Sequence, residues 1–198
     1  MEFSVHQENW FSTPIWESEI KNINNQEIKD YCIYLKDNTK GVNISNRGGW
    51  HSSEILLPMP QDLRSSFSNL EVFVNENCFK EMGVPNLKFG NFWVNINTPN
   101  SYNLAHDHQN SILSGVYYVS VPHDNMGDLV LHRGDTAEYF LKSDVERIGT
   151  KANSFVAVKK PIESVFYIFP SWVKHHVESN NSQGDRISIA FNFIAENK

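Results

Sequence analysis

The sequence predicts a mainly β protein with flanking α-helices, and three observations lead there. Apolar residues recur at helical spacing in two segments before residue 80. From Leu87 onward that spacing falls to two and stays there. The length, 198 residues, suffices for one domain with a full core. Two helices followed by many strands of antiparallel type fit helices packed outside a β-sandwich or open barrel.

The elements follow in order. Residues 1–24 read as an edge element, with Pro14, Ile15 and Trp16 ready to pack on something larger. Ile28, Tyr31, Cys32 and Leu35 mark a helix over 25–37, with Asn24 and Glu27 in a capping-box pattern. Residues 46–51 (NRGGWH) read as a turn-rich loop. A second helix starts near Pro60, carries Leu63, Phe67, Leu70, Val74 and Cys78 as its buried stripe, and stops at Gly83 and Pro85. Residues 87–97 then alternate, with Phe92, Val94 and Ile96 on one face and Asn91, Trp93, Asn95 and Asn97 on the other. A loop over 98–104 delivers the chain to His106, and 112–121 is a strand placing Ser114, Val116, Tyr118 and Ser120 together. Gly127 and Asp128 turn into a strand over 129–132, and 133–153 reads as a polar lid or insertion. Strands follow at 155–158 and 165–169. The last strand, 187–194, sets Arg186, Ser188, Ala190 and Asn192 opposite Ile187, Ile189, Phe191 and Phe193.

Composition excludes several classes. A hydrophobic fraction of 40% with 13% aromatics describes a globular chain rather than a disordered one. Net charge is -6 with no basic run, which disfavours nucleic acid as a partner. Cys32 and Cys78 make neither a disulfide framework nor a CxxC site, so free thiols in a reducing cytoplasm are expected. The start, MEFSVHQENWF, lacks the basic and apolar regions of a signal peptide, and no apolar run is long enough to span a bilayer. The expectation is a soluble, cytoplasmic protein without a membrane partner.

Chemistry concentrates in two distant stretches. In AHDHQNSILSGVYYVSVP (105–122), His106 and His108 are two apart and point to one side of an extended chain, while Asp107 points away. Paired imidazoles suit a first-row transition metal that needs a third ligand, and His175 in FPSWVKHHVESNN is the best candidate. The turn composition of 179–185 predicts that the strand holding His175 pairs antiparallel with the one starting at Arg186. Arg186 and Ser188 share a strand face that carries no acidic residue. A buried guanidinium needs an anion, so the missing partner is read as a carboxylate ligand. Trp50, Trp93 and Trp172 are read as core or pocket wall, and His51, His123 and His132 as surface or structural. Glu138 and Asp144 carry no identifiable role.

These blocks resemble the iron(II)/2-oxoglutarate-dependent oxygenases, and within them a small microbial and phage-type group. The resemblance rests on 103–119 (NLAHDHQNSILSGVYYV), 169–180 (FPSWVKHHVESN) and 186–192 (RISIAFN), with SNRGGWHS and FWVNIN upstream, and so covers most of the chain. It implies a double-stranded β-helix (a jelly-roll, cupin-like fold), with Fe(II) and 2-oxoglutarate as cofactors. It also implies a reaction that hydroxylates a substrate with release of succinate and CO2. It assigns His106 and His175 as iron ligands and Arg186, with Ser188 beside it, to the distal carboxylate of 2-oxoglutarate. Tyr118 matches a position that hydrogen-bonds the co-substrate, and Asn95 is a candidate for its keto-acid end. The chain departs from the family's usual H-x-D…H at one place, where His108 stands in the carboxylate position. Strand parity favours His106, His108 and His175 as the ligand set, and Asp107 ligates only if the loop kinks. No catalytic group beyond the ligands is identified.

The resulting expectation is a single oxygenase domain over 1–198, with 1–86 as helical support and 87–198 as the β-helix core. Its partner is a small-molecule or peptide substrate; the oligomeric state is open, a homodimer being one option. Two alternatives stand beside it. One is a three-histidine cupin-like dioxygenase without 2-oxoglutarate, and the other is a non-catalytic metal- or carboxylate-binding module.

Overall fold

Helix α1 spans Asn25–Asn38 and is capped by Asn24, whose side chain accepts the Glu27 N–H at 3.3 Å. Helix α2 spans Gln61–Phe73 after Pro60 and runs into a π-helical turn, Val74–Cys78, that the periodicity did not announce. The turn has a local cause in Asn75. Its carboxamide accepts the Leu87 N–H at 2.8 Å and donates to the Leu87 carbonyl at 2.7 Å, tying the helix end to the first long strand. The computed structural model describes residues 6, 11–55, 59–78, 82–84, 86–135, 150–151 and 153–196. Glu138, Asp144 and most of the expected lid lie outside them. No helix among the described residues is long and apolar enough to cross a membrane.

Among the described residues, eleven strands form two antiparallel sheets: β1 (Trp16–Glu19), β2 (Asn46–Arg47), β3 (Trp50–His51), β4 (Leu87–Asn97), β5 (Tyr102–His106), β6 (Leu113–Ser120), β7 (Leu129–His132), β8 (Val156–Lys159), β9 (Val165–Pro170), β10 (His175–Val177) and β11 (Arg186–Ala195). The major sheet runs β1-β9-β6-β11-β4-β3 and the minor sheet β2-β5-β10-β7-β8. The alternation in β11 separates two environments. Ile187, Ile189, Phe191 and Phe193 are at most 2% exposed and share a core with Ile28 and Cys32 of α1 and with Leu63, Phe67 and Leu70 of α2. Each such side chain contributes about 1.5–3 kcal/mol by leaving water. The opposite face of β11 looks between the sheets, where Tyr118, Leu129, Leu131, Tyr167 and Phe169 make a second cluster.

The sequence reading needs four corrections. Part of the expected 98–104 loop is strand β5, and the expected 46–51 loop contains β2 and β3. These two-residue strands join different sheets, because Gly48 and Gly49 both adopt positive φ and reverse the chain between them. The expected hairpin between β10 and β11 does not form: β10 pairs with β5 and β7, while β11 pairs with β4 and β6. Turn-rich composition at 179–185 marks a crossing from one sheet to the other rather than a reversal within one. Fully buried Asn180 holds that crossing, donating to the carbonyls of Asn97 (2.8 Å) and Gly184 (2.7 Å) and accepting the Ser182 N–H (3.1 Å). Lastly, Trp172 is 61% exposed and so not core; it is the wall of a separate surface pocket with Met82, Val84, Ser111 and Ile112, not of the cavity between the sheets.

Candidate metal and anion site

His106 ends β5 and His175 starts β10, and the two stand opposite each other across the minor sheet. Between them and the Asn103–Val177 pair the register shifts, so three steps along β5 match two along β10. That bulge reverses the side-chain parity of β5, which is how Asn103 and His106 both reach the cavity. His108 lies two residues past β5, its backbone N–H donated to the Ser171 carbonyl at 3.1 Å. One ring nitrogen from each of His106, His108 and His175 lies within 4.8 Å of the others. Asp107 is exposed and is no part of the cluster. His176 points elsewhere, its Nδ1 sharing a hydrogen bond with His132 Nε2 at 2.8 Å.

Backbone carbonyls orient two of the three rings. His106 Nδ1 donates to the Leu104 carbonyl at 2.7 Å and His175 Nδ1 to the Val173 carbonyl at 2.9 Å. A carbonyl only accepts, so these bonds place the proton on Nδ1 and leave Nε2 as the lone-pair donor. Phe169 flanks the His175 ring edge-on at 4.8 Å. Burial, first of all, depresses all three histidines: His108 to about 4 and His175 to about 3, with His106 lowered as well. All three are therefore neutral near pH 7, the state in which imidazole binds a metal.

The facing wall comes from the major sheet: Arg186 and Ser188 of β11, Tyr118 of β6, and Trp93 and Asn95 of β4 line the same cavity. Arg186 is 1% exposed, and its Nη1 donates to the carbonyls of Met126 (2.7 Å) and Gly127 (2.5 Å). Gly127 has φ +85° and its Cα faces the Glu178 carbonyl, with no room for a Cβ. Only glycine brings that carbonyl to the guanidinium. Burial lowers the Arg186 pKa, and neighbouring Tyr118 and Asp128 partly restore it. Among the described residues, no carboxylate forms an ion pair with Arg186 and no group hydrogen-bonds its buried Nε. Burial pushes the Tyr118 hydroxyl up to about 12, so it stays protonated as a donor.

The donor sets suit the two groups the sequence resemblance implies. Three neutral imidazoles on one point fit a first-row divalent metal, and an orphaned guanidinium nitrogen beside two hydroxyls fits a carboxylate. Sequence reasoning missed several residues of this site. Asn97 donates to Asn103 at 3.1 Å, and Asn103 to Ser45 at 3.2 Å, all three at the cavity. His51, read as surface or structural, has the structural role: it is 5% exposed and stacks on Trp93 behind the cavity wall, not in the cavity itself. A histidine inside a glycine-rich turn carries no sequence signal for this.

Comparison with known proteins fits the geometry. The profile of the family described as "Putative 2OG-Fe(II) oxygenase" matches residues 91–192, half of the chain. No curated protein matches the sequence. Among solved structures, a Pseudomonas putida prolyl-4-hydroxylase superposes with a TM-score of 0.64 at 11% identity, covering 94% of this chain and 95% of that one. A viral collagen prolyl hydroxylase from Paramecium Bursaria Chlorella virus-1, solved with 2OG, gives 0.62 at 12% identity over 92% and 96%. A Trichoplax adhaerens prolyl hydroxylase in complex with a hypoxia inducible factor peptide gives 0.61 at 14% over 90% and 83%. The likeness establishes the double-stranded β-helix as the fold of this chain.

Proposed function

Because this chain belongs to the 2OG-Fe(II) oxygenase family, whose cofactors are Fe(II) and 2-oxoglutarate, we propose that it hydroxylates a small-molecule or peptide substrate at the cavity between its sheets. The observation that carries this reading is the convergence, on one cavity from opposite sheets, of a three-histidine cluster and a buried Arg186 that forms no ion pair with a carboxylate among the described residues. His106, His108 and His175 would hold iron through Nε2. Arg186 and Ser188 would take the distal carboxylate of 2-oxoglutarate, Tyr118 would donate a hydrogen bond to it, and Asn95 would reach the keto-acid end. Bound there, the two cofactors supply the oxidising power: 2-oxoglutarate leaves as succinate and CO2, and an oxygen atom from O2 goes to the substrate. The chain's own contribution is orientation. The carbonyls of Leu104 and Val173 hold two imidazoles in one tautomer, those of Met126 and Gly127 hold the guanidinium, and the two sheets wall the cavity.

On this reading the chain is a single oxygenase domain, with residues 1–86 supporting a β-helix core at 87–198. The free buried thiols Cys32 and Cys78 support a cytoplasmic placement. The test is succinate formation from 2-oxoglutarate with Fe(II) and O2. Arg186→Lys keeps the charge and loses the fork, so the KM for 2-oxoglutarate should rise by about tenfold, well beyond any change for the prime substrate. Succinate-free O2 consumption would favour the three-histidine dioxygenase that needs no co-substrate. No turnover of either kind, with metal still bound, would favour a binding module.

A further inference from the structure

The three clustered histidines are not held alike. His106 and His175 each donate a ring N–H to a backbone carbonyl, whereas no hydrogen bond to the His108 ring forms among the described residues. Imidazole χ2 is a broad torsion, so a ring without such a bond takes its plane from packing. Across the cavity, the Trp93 indole meets the His108 ring at a centroid distance of 5.5 Å and an angle of 50°. Behind the indole, the His51 ring stacks almost parallel at 5.7 Å and 12°. His51 is itself fixed, because its Nδ1 donates to the Ser52 carbonyl at 2.6 Å and its strand pairs with β4 at Asn95. A row of three rings, the first pair stacked and the second tilted, thus runs from the edge of the major sheet to the loop after β5.

We propose that Trp93 is a positioning residue that sets the ring plane of His108. It does by packing what backbone carbonyls do for the other two histidines, and His51 backs it. The inference rests on the reading of His106, His108 and His175 as the metal-holding set. Losing such a supporting partner loosens a metal by about 10–100-fold.

Cobalt(II) is the probe, added to the full chain, with affinity read by titration and ligand geometry by the visible absorption bands. Trp93→Leu should weaken Co(II) by about tenfold and alter the bands, while Trp93→Phe, which keeps an aromatic face, should recover most of the loss. In a His108→Ala background Trp93→Leu should add less than about twofold, because the ring it serves is gone. Wild-type affinity and bands in Trp93→Leu would overturn the inference, as would an equal loss with and without His108, which marks general loosening. If Trp93→Leu does not fold, His51→Ala carries the same comparison, with a severalfold loss expected only where His108 is present. A wild-type chain that binds no Co(II) would instead sink the three-histidine reading itself.

Discussion

His108 occupies the position where the family's usual pattern has a carboxylate, and its neighbour Asp107 is the competing donor. In the structure the His108 ring faces His106 and His175 at 5.0 and 5.1 Å, and Asp107 is exposed. His108→Ala should therefore lose iron about 10–100-fold more readily than the wild type, and Asp107→Ala should bind as the wild type does. Iron content after dialysis measures both; loss in Asp107→Ala with retention in His108→Ala would restore the ordinary two-histidine-one-carboxylate set. Residue spacing made two of the imidazoles legible, because parity along an extended chain is a local property, and the third, His175, came as a candidate from a distant stretch and through the motif resemblance. Their hydrogen bonds were not legible: the carbonyls of Leu104 and Val173 belong to residues of no distinctive chemistry. The same holds for the carbonyls around Arg186, where only the Gly127–Asp128 turn left a trace in the sequence.

At the scale of elements, long amphipathic segments and the apolar four-residue strand at 129–132 read well, and the two-residue strands did not. The 14 residues of α1 and the 11 of β4 carry enough period to declare themselves, whereas β2 and β3 are two residues each. The misread pairing of β10 has a physical reason too, since a turn of given composition can end in either sheet. What decides is Asn180, whose carboxamide bridges the last residue of β4 and the segment after β10. Asn180→Ala would strip the Asn97 and Gly184 carbonyls of a donor and the Ser182 N–H of its acceptor, at a cost of about 1–3 kcal/mol. Urea unfolding should show a lower midpoint at unchanged slope. A loss under about 0.5 kcal/mol would mean water replaces the carboxamide.

At the scale of the molecule, helices and sheet share one core, which argues that residues 1–86 do not unfold separately. Cys32 on α1 and Cys78 in the π-helical turn are both fully buried against the major sheet, and burial pushes both thiols up to about 12. Neither should react with a thiol reagent at pH 8 in the native protein, and both should appear together with the loss of tryptophan signal on unfolding. Reaction at Cys32 before that transition would mean the helical region peels off alone. The sign of the alkaline dependence follows. Above about pH 8.5 the unfolded chain releases thiol protons that the native state keeps. Stability therefore falls as pH rises through that range. The mainly β architecture was readable from the change of period at Leu87. Its closure into a double-stranded β-helix was not a matter of period and came through the motif resemblance.

The clustered histidines sit at the ends of two inner strands of the minor sheet, β5 and β10, and just beyond β5, and the guanidinium hangs from the major one. The width of the gap between the two layers is therefore itself a working dimension of the site, as the spacing of two jaws is of a caliper. A change of about an ångström in that width would leave every strand, helix and buried phenylalanine in place, yet cost about a hundredfold in the alignment of a molecule held at both ends. Swelling of this kind precedes cooperative unfolding in mild denaturant, so turnover should fade at urea concentrations where circular dichroism is still native. The metal, gripped from one layer, should stay bound while the anion is already lost.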